Sequence, residues 1–246
     1  MSRKKLPNAP LKEAIFEVFW DSPLDKSGLK VDKEFELSIG KFSLNISENF
    51  PIHKRTIPQA ASIKVYGLPL YQFWKGEIQW PVVQLGPGIL TVNDTDKNYH
   101  WDNTYKPNIL IALNALKKSY NVLPEFKRVS LRYIDSVDFI GEEDFLAFIH
   151  NNLQTSIENK YSIPGKQTGL NINQTFSVED YTVSINIQTA INNVTGAPAI
   201  VWITSAYKTG KFSEKDLLLW IDTAHSIISD LFVNMLNPTY YASFDK

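Results

Sequence analysis

The stretch 127–139, Lys-Arg-Val-Ser-Leu-Arg-Tyr-Ile-Asp-Ser-Val-Asp-Phe, alternates apolar and polar side chains over its whole length. The apolar side of this alternation is formed by Val129, Leu131, Tyr133, Val137 and Phe139, and the polar side by Arg128, Arg132 and Ser136. A period of two residues is typical of a β-strand that buries one face. The stretch therefore predicts a strand with one face against a core.

Asp135 is the exception in this strand, because it falls on the apolar side with Tyr133 and Val137. An unpaired carboxylate in an apolar core lowers stability by several kcal/mol, so something must satisfy it. A bulge would turn Asp135 to solvent, or Arg128 or Arg132 would reach it from an edge. The functional alternative is that it lies in a cleft between two halves of the chain with a raised pKa, or orders a ligand-binding loop.

The elements that follow this strand are a helix, three strands and a second helix. The acids of 141–144 precede the first helix and suit the positive end of its dipole. The three alternating runs are 169–178, 181–190 and 199–207. Ser213 and Asp216 form a variant of the capping box, and the apolar stripe behind them extends to Met235.

The part of the chain before this strand has the same order of elements. The pattern predicts a strand over 13–20, a helix over 32–49 with Asp32 as N-cap and Pro51 past its end, strands over 62–74 and 78–85, a hairpin strand over 89–92, and a helix over 104–120. Both halves thus read β-α-β-β-β-α, which predicts a structural duplication.

The fold class that follows is α+β. Three consecutive strands with one polar face indicate antiparallel sheet with helices on the other face, and the two halves are expected to join in one curved sheet. This topology is like that of the TATA-binding-protein or helix-grip folds. The predicted organisation is an arm over 1–10 and halves over 11–124 and 125–246 in one compact, pseudo-symmetric unit.

The composition of the chain excludes several classes of protein. The 246 residues carry a formal net charge of -1, which lacks the single-sign field typical of proteins that bind nucleic acid or anionic membranes. The absence of cysteine excludes disulfides, thiolate metal sites and thiol nucleophiles. No signal peptide and no apolar stretch of membrane-spanning length is recognised, so we expect a cytoplasmic protein without a membrane contact.

The histidines offer little catalytic or metal-binding chemistry. The four are far apart in sequence, at His53, His100, His150 and His225. Asp222 and His225 share a helix face but supply only two ligands, so we expect no metal and no cofactor. A nucleophile elbow and a P-loop are both missing from the sequence. The sequence therefore favours a protein that is not an enzyme.

Aromatic residues are concentrated between positions 66 and 101, where they include Trp74, Trp80 and Trp101. Interleaved with Lys64, Lys75 and Lys97, they would suit base stacking, but acidic residues lie among them. Packing in the core explains most of them, and tryptophans exposed on a sheet face would suit a protein partner.

Five segments carry a resemblance to a known family. They are the segment 6–14 (Leu-Pro-Asn-Ala-Pro-Leu-Lys-Glu-Ala), the segment 83–93, the triplet Tyr99-His100-Trp101, the segment 128–135, and Ala224-His225 with Phe232. The chain resembles a sporadically distributed, functionally uncharacterised family of bacterial proteins of about this length that open with a Pro-Leu-x-Glu strand. The resemblance implies no activity, cofactor or catalytic residue. It implies mobile genetic neighbourhoods, of which antiphage defence and toxin systems are common kinds, and Asp135 stands where the family has Asn.

Three hypotheses of function follow. The first is a non-catalytic binding or regulatory module that recognises a protein partner, or a second copy of itself, through the sheet face or the groove between halves. The second is a small-ligand receptor or enzyme with a pocket between the halves that uses Arg132, Tyr133, Asp135 and His225. The third is single-stranded nucleic-acid binding on the sheet face, which would show steep salt dependence.

Overall fold

The computed structural model describes residues 5–56, 66–95, 99–139, 144–158, 160–161, 164–165 and 167–246. The described strands are β1 (Leu11–Trp20), β2 (Ile52–Arg55), β3 (Tyr71–Gly76), β4 (Gln79–Gly86), β5 (Ile89–Asp94), β6 (Phe126–Asp138), β7 (Asn171–Val178), β8 (Tyr181–Ile191) and β9 (Pro198–Phe212). The α-helices are α1 (Phe35–Ile46), α2 (Lys106–Ser119), α3 (Phe145–Asn152), α4 (Glu214–Met235) and α5 (Pro238–Ser243), and a π-helix at Trp101–Tyr105 precedes α2.

The nine strands form one antiparallel sheet in the order β2-β3-β4-β5-β1-β6-β9-β8-β7, so the α+β class is confirmed. By its contacts the chain divides into two compact units. Unit 1 comprises Met1–Lys12, Arg132–Ala206 and Ile221–Lys246, and unit 2 comprises Glu13–Leu131 and Tyr207–Trp220.

Most predicted elements are present within a few residues of the expected bounds. The capping box is confirmed, because the Ser213 hydroxyl donates to Asp216 at 2.7 Å and the Asp216 N–H donates back to Ser213 at 3.3 Å. Of the predicted strand 62–74, residues 62–65 lie outside the described residues, and the observed strand β3 begins at Tyr71. Of the acids predicted before α3, those at 142 and 143 also lie outside the described part.

Two short elements were not predicted, and one cap was assigned wrongly. Strand β2 has only four residues and helix α5 only six, too few for a periodic signal to appear. Helix α1 begins at Phe35 with Glu34 at its N-cap position, so the prediction of Asp32 as N-cap is wrong. The Asp32 side chain still accepts from the Glu34 N–H through Oδ1, at 3.2 Å, while its Oδ2 accepts from residues distant in the sequence.

The core of unit 2 lies between one face of its strands and helices α1 and α2. Phe42 of α1 packs edge-on against Phe73 of β3, with ring centroids 5.1 Å apart. The hydroxyl of Tyr105 donates to the carbonyl of Val92 at 2.7 Å, which fixes the start of α2 on strand β5. Alternation in each strand places the apolar side chains on this covered face.

Asp32 joins three elements of unit 2. Its Oδ2 accepts from the indole N–H of Trp20 at 2.9 Å and from the Tyr120 hydroxyl at 2.8 Å. Burial, and then the Asp32 carboxylate, raise the pKa of Tyr120, so the phenol stays protonated and donates. The carboxylate therefore holds the end of β1 against the end of α2.

The core of unit 1 is formed by side chains from α3, β8, β9 and the C-terminal segment. Its members are Phe145, Phe148, Ile149, Leu153, Ile185, Ile187, Ile200, Trp202, Met235, Leu236 and Phe244. Trp202 is fully buried at the centre of this set. On the other face of the same strands the hydroxyls of Ser184 and Ser205 form a hydrogen bond of 2.7 Å.

Candidate functional site

The turn between β3 and β4 presents an apolar side chain in an unfavourable backbone conformation. Ile78 has a φ of 60° and is 79% exposed. A β-branched residue with positive φ is a genuine outlier, and such outliers are concentrated at functional sites. The conformation holds the Ile78 side chain at the tip of the hairpin, where among the described residues it packs into no core.

Two tryptophans lie directly behind this tip. The rings of Trp74 and Trp80 meet edge-on with centroids 5.2 Å apart, and both side chains are partly exposed. The buried indole N–H of Trp74 has no hydrogen-bond partner in the described part of the chain. Ile78, Trp74 and Trp80 thus form an apolar end to the hairpin, which we call the tip cluster.

A row of polar side chains continues from the tip cluster across the same face of the sheet. The amide of Gln72 donates to Gln84 at 3.0 Å, and that of Gln84 donates to Thr91 at 3.2 Å. In the strand register Gln72 lies opposite Gln84, Gln84 opposite Thr91, and Thr91 opposite Glu17. Glu17 accepts from Ser130 at 2.9 Å, so the row crosses five strands.

This row gives the sheet face of unit 2 polar groups with defined hydrogen bonds. Asn93 extends it by accepting from Thr91 at 2.9 Å and donating to Glu13 at 2.8 Å. The charges within the row are the carboxylates of Glu13 and Glu17. A hydrogen-bonded polar surface beside a large apolar cluster is typical of the rim and centre of a protein–protein interface.

Trp101 lies apart from the tip cluster. It begins the π-helix, is 7% exposed, and packs against Tyr105 with ring centroids 6.0 Å apart. Its burial places it with the core and not on the sheet face. Among the lysines expected beside these aromatics, Lys64 and Lys97 lie outside the described residues, and Lys75 lies over the Phe50 ring at 5.6 Å.

The second candidate site is in unit 1, where Asp135 is 3% exposed on the covered face of β6. The Phe139 N–H donates to the Pro198 carbonyl at 3.0 Å. Followed back four residues along these antiparallel strands, that pairing places Asp135 directly opposite Trp202. The expectation that a bulge turns Asp135 to solvent is therefore wrong.

The environment of Asp135 favours the protonated carboxyl group. Burial raises its pKa to about 8, against the lowering effects of the Lys12 charge and the Trp202 indole. The indole N–H of Trp202 makes no hydrogen bond of normal geometry with any described residue. Arg128, one of the arginines expected to reach Asp135, lies over the rings of Phe19 and Tyr207 at 5.6 and 5.3 Å.

Two further residues of the predicted site are in contact near Asp135. The Tyr133 hydroxyl and His225 Nδ1 form a hydrogen bond of 2.8 Å, and their rings meet edge-on at 6.1 Å. Ser229, one turn along α4, lies 3.3 Å from the same nitrogen. The structure therefore brings together Tyr133 and His225, with Asp135 two residues along the strand from Tyr133. Arg132 points to the other side of β6, where it is partly exposed.

Some of these features had no sequence signal. Nothing in a single sequence marks the positive φ of Ile78 or the partners of Asp32, because both depend on contacts between distant segments. Among the described residues, no group of three or more His, Asp or Glu side chains is placed to hold a metal ion. Within the same residues, no helix is both long and apolar enough to cross a bilayer.

Comparisons with protein-family models, with curated proteins and with solved structures found no match.

Proposed function

We propose that this protein is a non-catalytic binding module that recognises a protein partner through the tip cluster and the adjoining polar row. The observation that carries the proposal is Ile78, an exposed β-branched residue held at a φ of 60° beside the Trp74–Trp80 pair. Strain of about 1–3 kcal/mol at such a residue persists only where the surrounding structure imposes it. A role of the side chain in binding would explain why the strain is kept.

The composition of this surface supports a protein partner in preference to a nucleic acid. Large aromatic side chains such as Trp74 and Trp80 provide most of the binding energy in many protein interfaces. The adjoining row carries the carboxylates of Glu13 and Glu17, and Arg128 and Arg132 flank Ser130 at its end, so this face lacks the single positive sign that attracts a phosphate backbone. Its amides, on the partly exposed Gln72, Gln84 and Asn93, are neutral groups that can form hydrogen bonds with a partner at the rim.

The experiment that tests this proposal is affinity capture from the native host at native expression level. The wild type is compared with Ile78→Gly, which removes the exposed side chain and relieves the backbone strain. Ile191→Gly is the matched control, because Ile191 is also exposed, at 70%, but has no positive φ. A partner retained by the control and lost from Ile78→Gly supports the proposal, and equal recovery by both contradicts it.

A second candidate function is a small-ligand receptor or enzyme that uses the buried polar group of unit 1. Asp135 is protonated below pH about 8, so both it and the Trp202 indole can donate hydrogen bonds. Two buried donors on adjacent strands would suit a carbonyl or carboxylate oxygen of a ligand. Native mass spectrometry of the purified protein tests this, because a bound small molecule should be lost in Trp202→Phe, which lacks the indole N–H.

The duplicated architecture is also part of this proposal. The sheet order supports it, because β1-β5-β4-β3 runs outward on one side of the centre and β6-β9-β8-β7 on the other. The strands would correspond in the pairs β1 with β6, β3 with β7, β4 with β8, and β5 with β9. A curved sheet like that of the TATA-binding-protein or helix-grip folds, and membership of the sporadic bacterial family with its mobile or antiphage-defence loci, belong to the same hypothesis.

A further inference from the structure

The two edge strands of the sheet differ in how well they are protected against pairing with another chain. Strand β2 has four residues, of which Lys54 and Arg55 are charged. Strand β7 has eight residues, Asn-Ile-Asn-Gln-Thr-Phe-Ser-Val, with no charge and no proline. It pairs with β8 in an unbroken register from Asn171 opposite Gln188 to Val178 opposite Tyr181. Natural edge strands usually carry lysine, proline or a bulge, and β7 has none of these.

The pairing of β7 with β8 determines which backbone N–H and C=O groups of β7 point away from the sheet. The Thr189 N–H donates to the Leu170 carbonyl at 3.0 Å, so the even-numbered residues of β7 point their backbone groups towards β8. The odd-numbered residues point theirs outward: Asn171, Asn173, Thr175 and Ser177. Within the described chain β8 is the only strand beside β7, so these outward N–H and C=O groups have no strand partner.

The side chains of β7 are sorted between its two faces. The even-numbered residues Ile172, Phe176 and Val178, with Gln174 between them, lie on the same face as Val183, Ile185 and Ile187 of β8, and Phe176 remains 46% exposed. The odd-numbered residues are all amides or hydroxyls. A partner strand that matches this edge must therefore also be apolar on one face and polar and uncharged on the other.

We propose that β7 pairs antiparallel with β7 of a second copy of this chain, with Gln174 opposite Gln174 of the partner on the two-fold axis. In this register Ile172 lies opposite Phe176, and Leu170 opposite Val178, so apolar residues meet on one face. Asn171 lies opposite Ser177 and Asn173 opposite Thr175 on the other face. These last pairs are the ones that exchange hydrogen bonds, so all the outward groups of β7 are satisfied.

Charge also favours a second copy as the occupant of this edge. Strands β7 and β8 contain no charged residue between them, so two copies approach without repulsion. The acids of the β7–β8 turn, Glu179 and Asp180, come opposite Gly169 and Thr168 of the other copy. In this register each face of β7 therefore meets side chains of the same kind in the second copy. The alternative that the test distinguishes is a strand from another protein.

The absence of cysteine from the chain allows a direct test of this register. Gln174→Cys places two thiols on a pair without hydrogen bonds, whose Cα atoms lie about 4.5 Å apart, within disulfide range. Thr175→Cys is the matched control, because its nearest copy is diagonal, about 7–8 Å away. Under mild oxidation of the purified full chain we expect a cross-linked dimer from Gln174→Cys and at least about tenfold less from Thr175→Cys.

Light scattering over a concentration series measures the same association without a cross-link. A single strand pair is a small interface, so we expect a weak dimer that grows with concentration in the wild type. Gln174→Lys places like charges together at the axis and should leave a monomer, whereas Val194→Lys, at a 93% exposed turn position, should still dimerise. Ile78→Gly should also dimerise, which separates this inference from the proposed function.

Two results would overturn the inference. One is a wild type that stays monomeric at every concentration, which would leave the edge to a different partner. The other is equal cross-linking of Gln174→Cys and Thr175→Cys, which would mean that any dimer uses another register or another surface.

Discussion

Asp135 faces Trp202 across the neighbouring strands β6 and β9, with the carboxyl group and the indole both buried. The indole N–H has no hydrogen-bond partner in the described part of the chain. Asp135 was predicted to lie on the apolar side of its strand, and this position is confirmed. The core of unit 1 therefore contains an ionisable group that is most stable when uncharged.

The raised pKa of Asp135 makes the stability of the protein depend on pH. The folded state keeps this proton up to pH about 8, whereas an unfolded chain releases it near 3.8. The stability that protonated Asp135 contributes is therefore fully present below pH 3.8 and is lost as the pH rises towards 8. The free energy of unfolding falls in this range by up to about 1.4 kcal/mol per pH unit. We expect Asp135→Asn, which cannot ionise, to flatten this decline.

Urea unfolding at pH 5 and pH 8 measures this difference. The stability of the variant relative to the wild type should be higher at pH 8 than at pH 5, because the wild type loses the contribution of the Asp135 proton across this range. Glu48→Gln removes an exposed carboxylate and should keep the slope of the wild type. A slope that is the same in Asp135→Asn and the wild type would show that Asp135 is not responsible.

Asp32 is expected to be among the most sensitive positions of unit 2. In Asp32→Ala the indole N–H of Trp20 and the hydroxyl of Tyr120 lose their acceptor while both residues stay buried. Unsatisfied buried donors of this kind should lower the free energy of unfolding by about 2–4 kcal/mol. Denaturant unfolding measures this, with Glu36→Ala, an exposed acid in α1, as the control. Equal effects of the two changes would refute the role of Asp32.

Gly86 is required by the close approach of a neighbouring segment. A Cβ atom at this position would overlap the carbonyl oxygen of Leu68, which is backbone and cannot move aside. We expect Gly86→Ala to lower the free energy of unfolding by more than about 3 kcal/mol. Gly40→Ala on helix α1 meets open space and should raise stability by up to about 1 kcal/mol. Thermal unfolding of both variants would decide, and a neutral Gly86→Ala would contradict the packing described.

The strain at Ile78 predicts an unusual gain in stability on loss of a side chain. Glycine adopts positive φ without steric conflict, so Ile78→Gly should raise the free energy of unfolding by up to about 1 kcal/mol. The same change at Ile191, in an ordinary strand conformation, should lower it. Melting temperatures of the two variants test the sign, and a loss of stability in Ile78→Gly would remove the argument from strain.

Much of the fold could be predicted because its strands and helices have strong periodic patterns. The alternation of 127–139 predicts strand β6 and places Asp135 on its buried side. The Ser213–Asp216 spacing predicts the start of α4. Strand β2 was not predicted, because four residues carry no usable period. The sequence around Asp32 predicts a helix cap but cannot predict its contacts with Trp20 and Tyr120, because these depend on segments 12 and 88 residues away.

The candidate sites were predicted less well, because they depend on side chains that distant segments bring together. Trp74 and Trp80 were singled out from their residue type, and the structure places them in contact. Trp101 was singled out for the same reason but is buried in a different environment. Ile78, on which the proposed function rests, could not be predicted from the sequence because only its backbone conformation is unusual.

The binding of a captured partner protein to purified variants tests the central proposal most directly. Calorimetric titration of that partner should give similar affinities for the wild type and for Ile191→Gly. For Ile78→Gly we expect an affinity at least about tenfold weaker, a loss of about 1.4 kcal/mol, in a protein that is as stable as the wild type or more so. An unchanged affinity in Ile78→Gly would contradict the assignment of the tip cluster as the partner-binding surface.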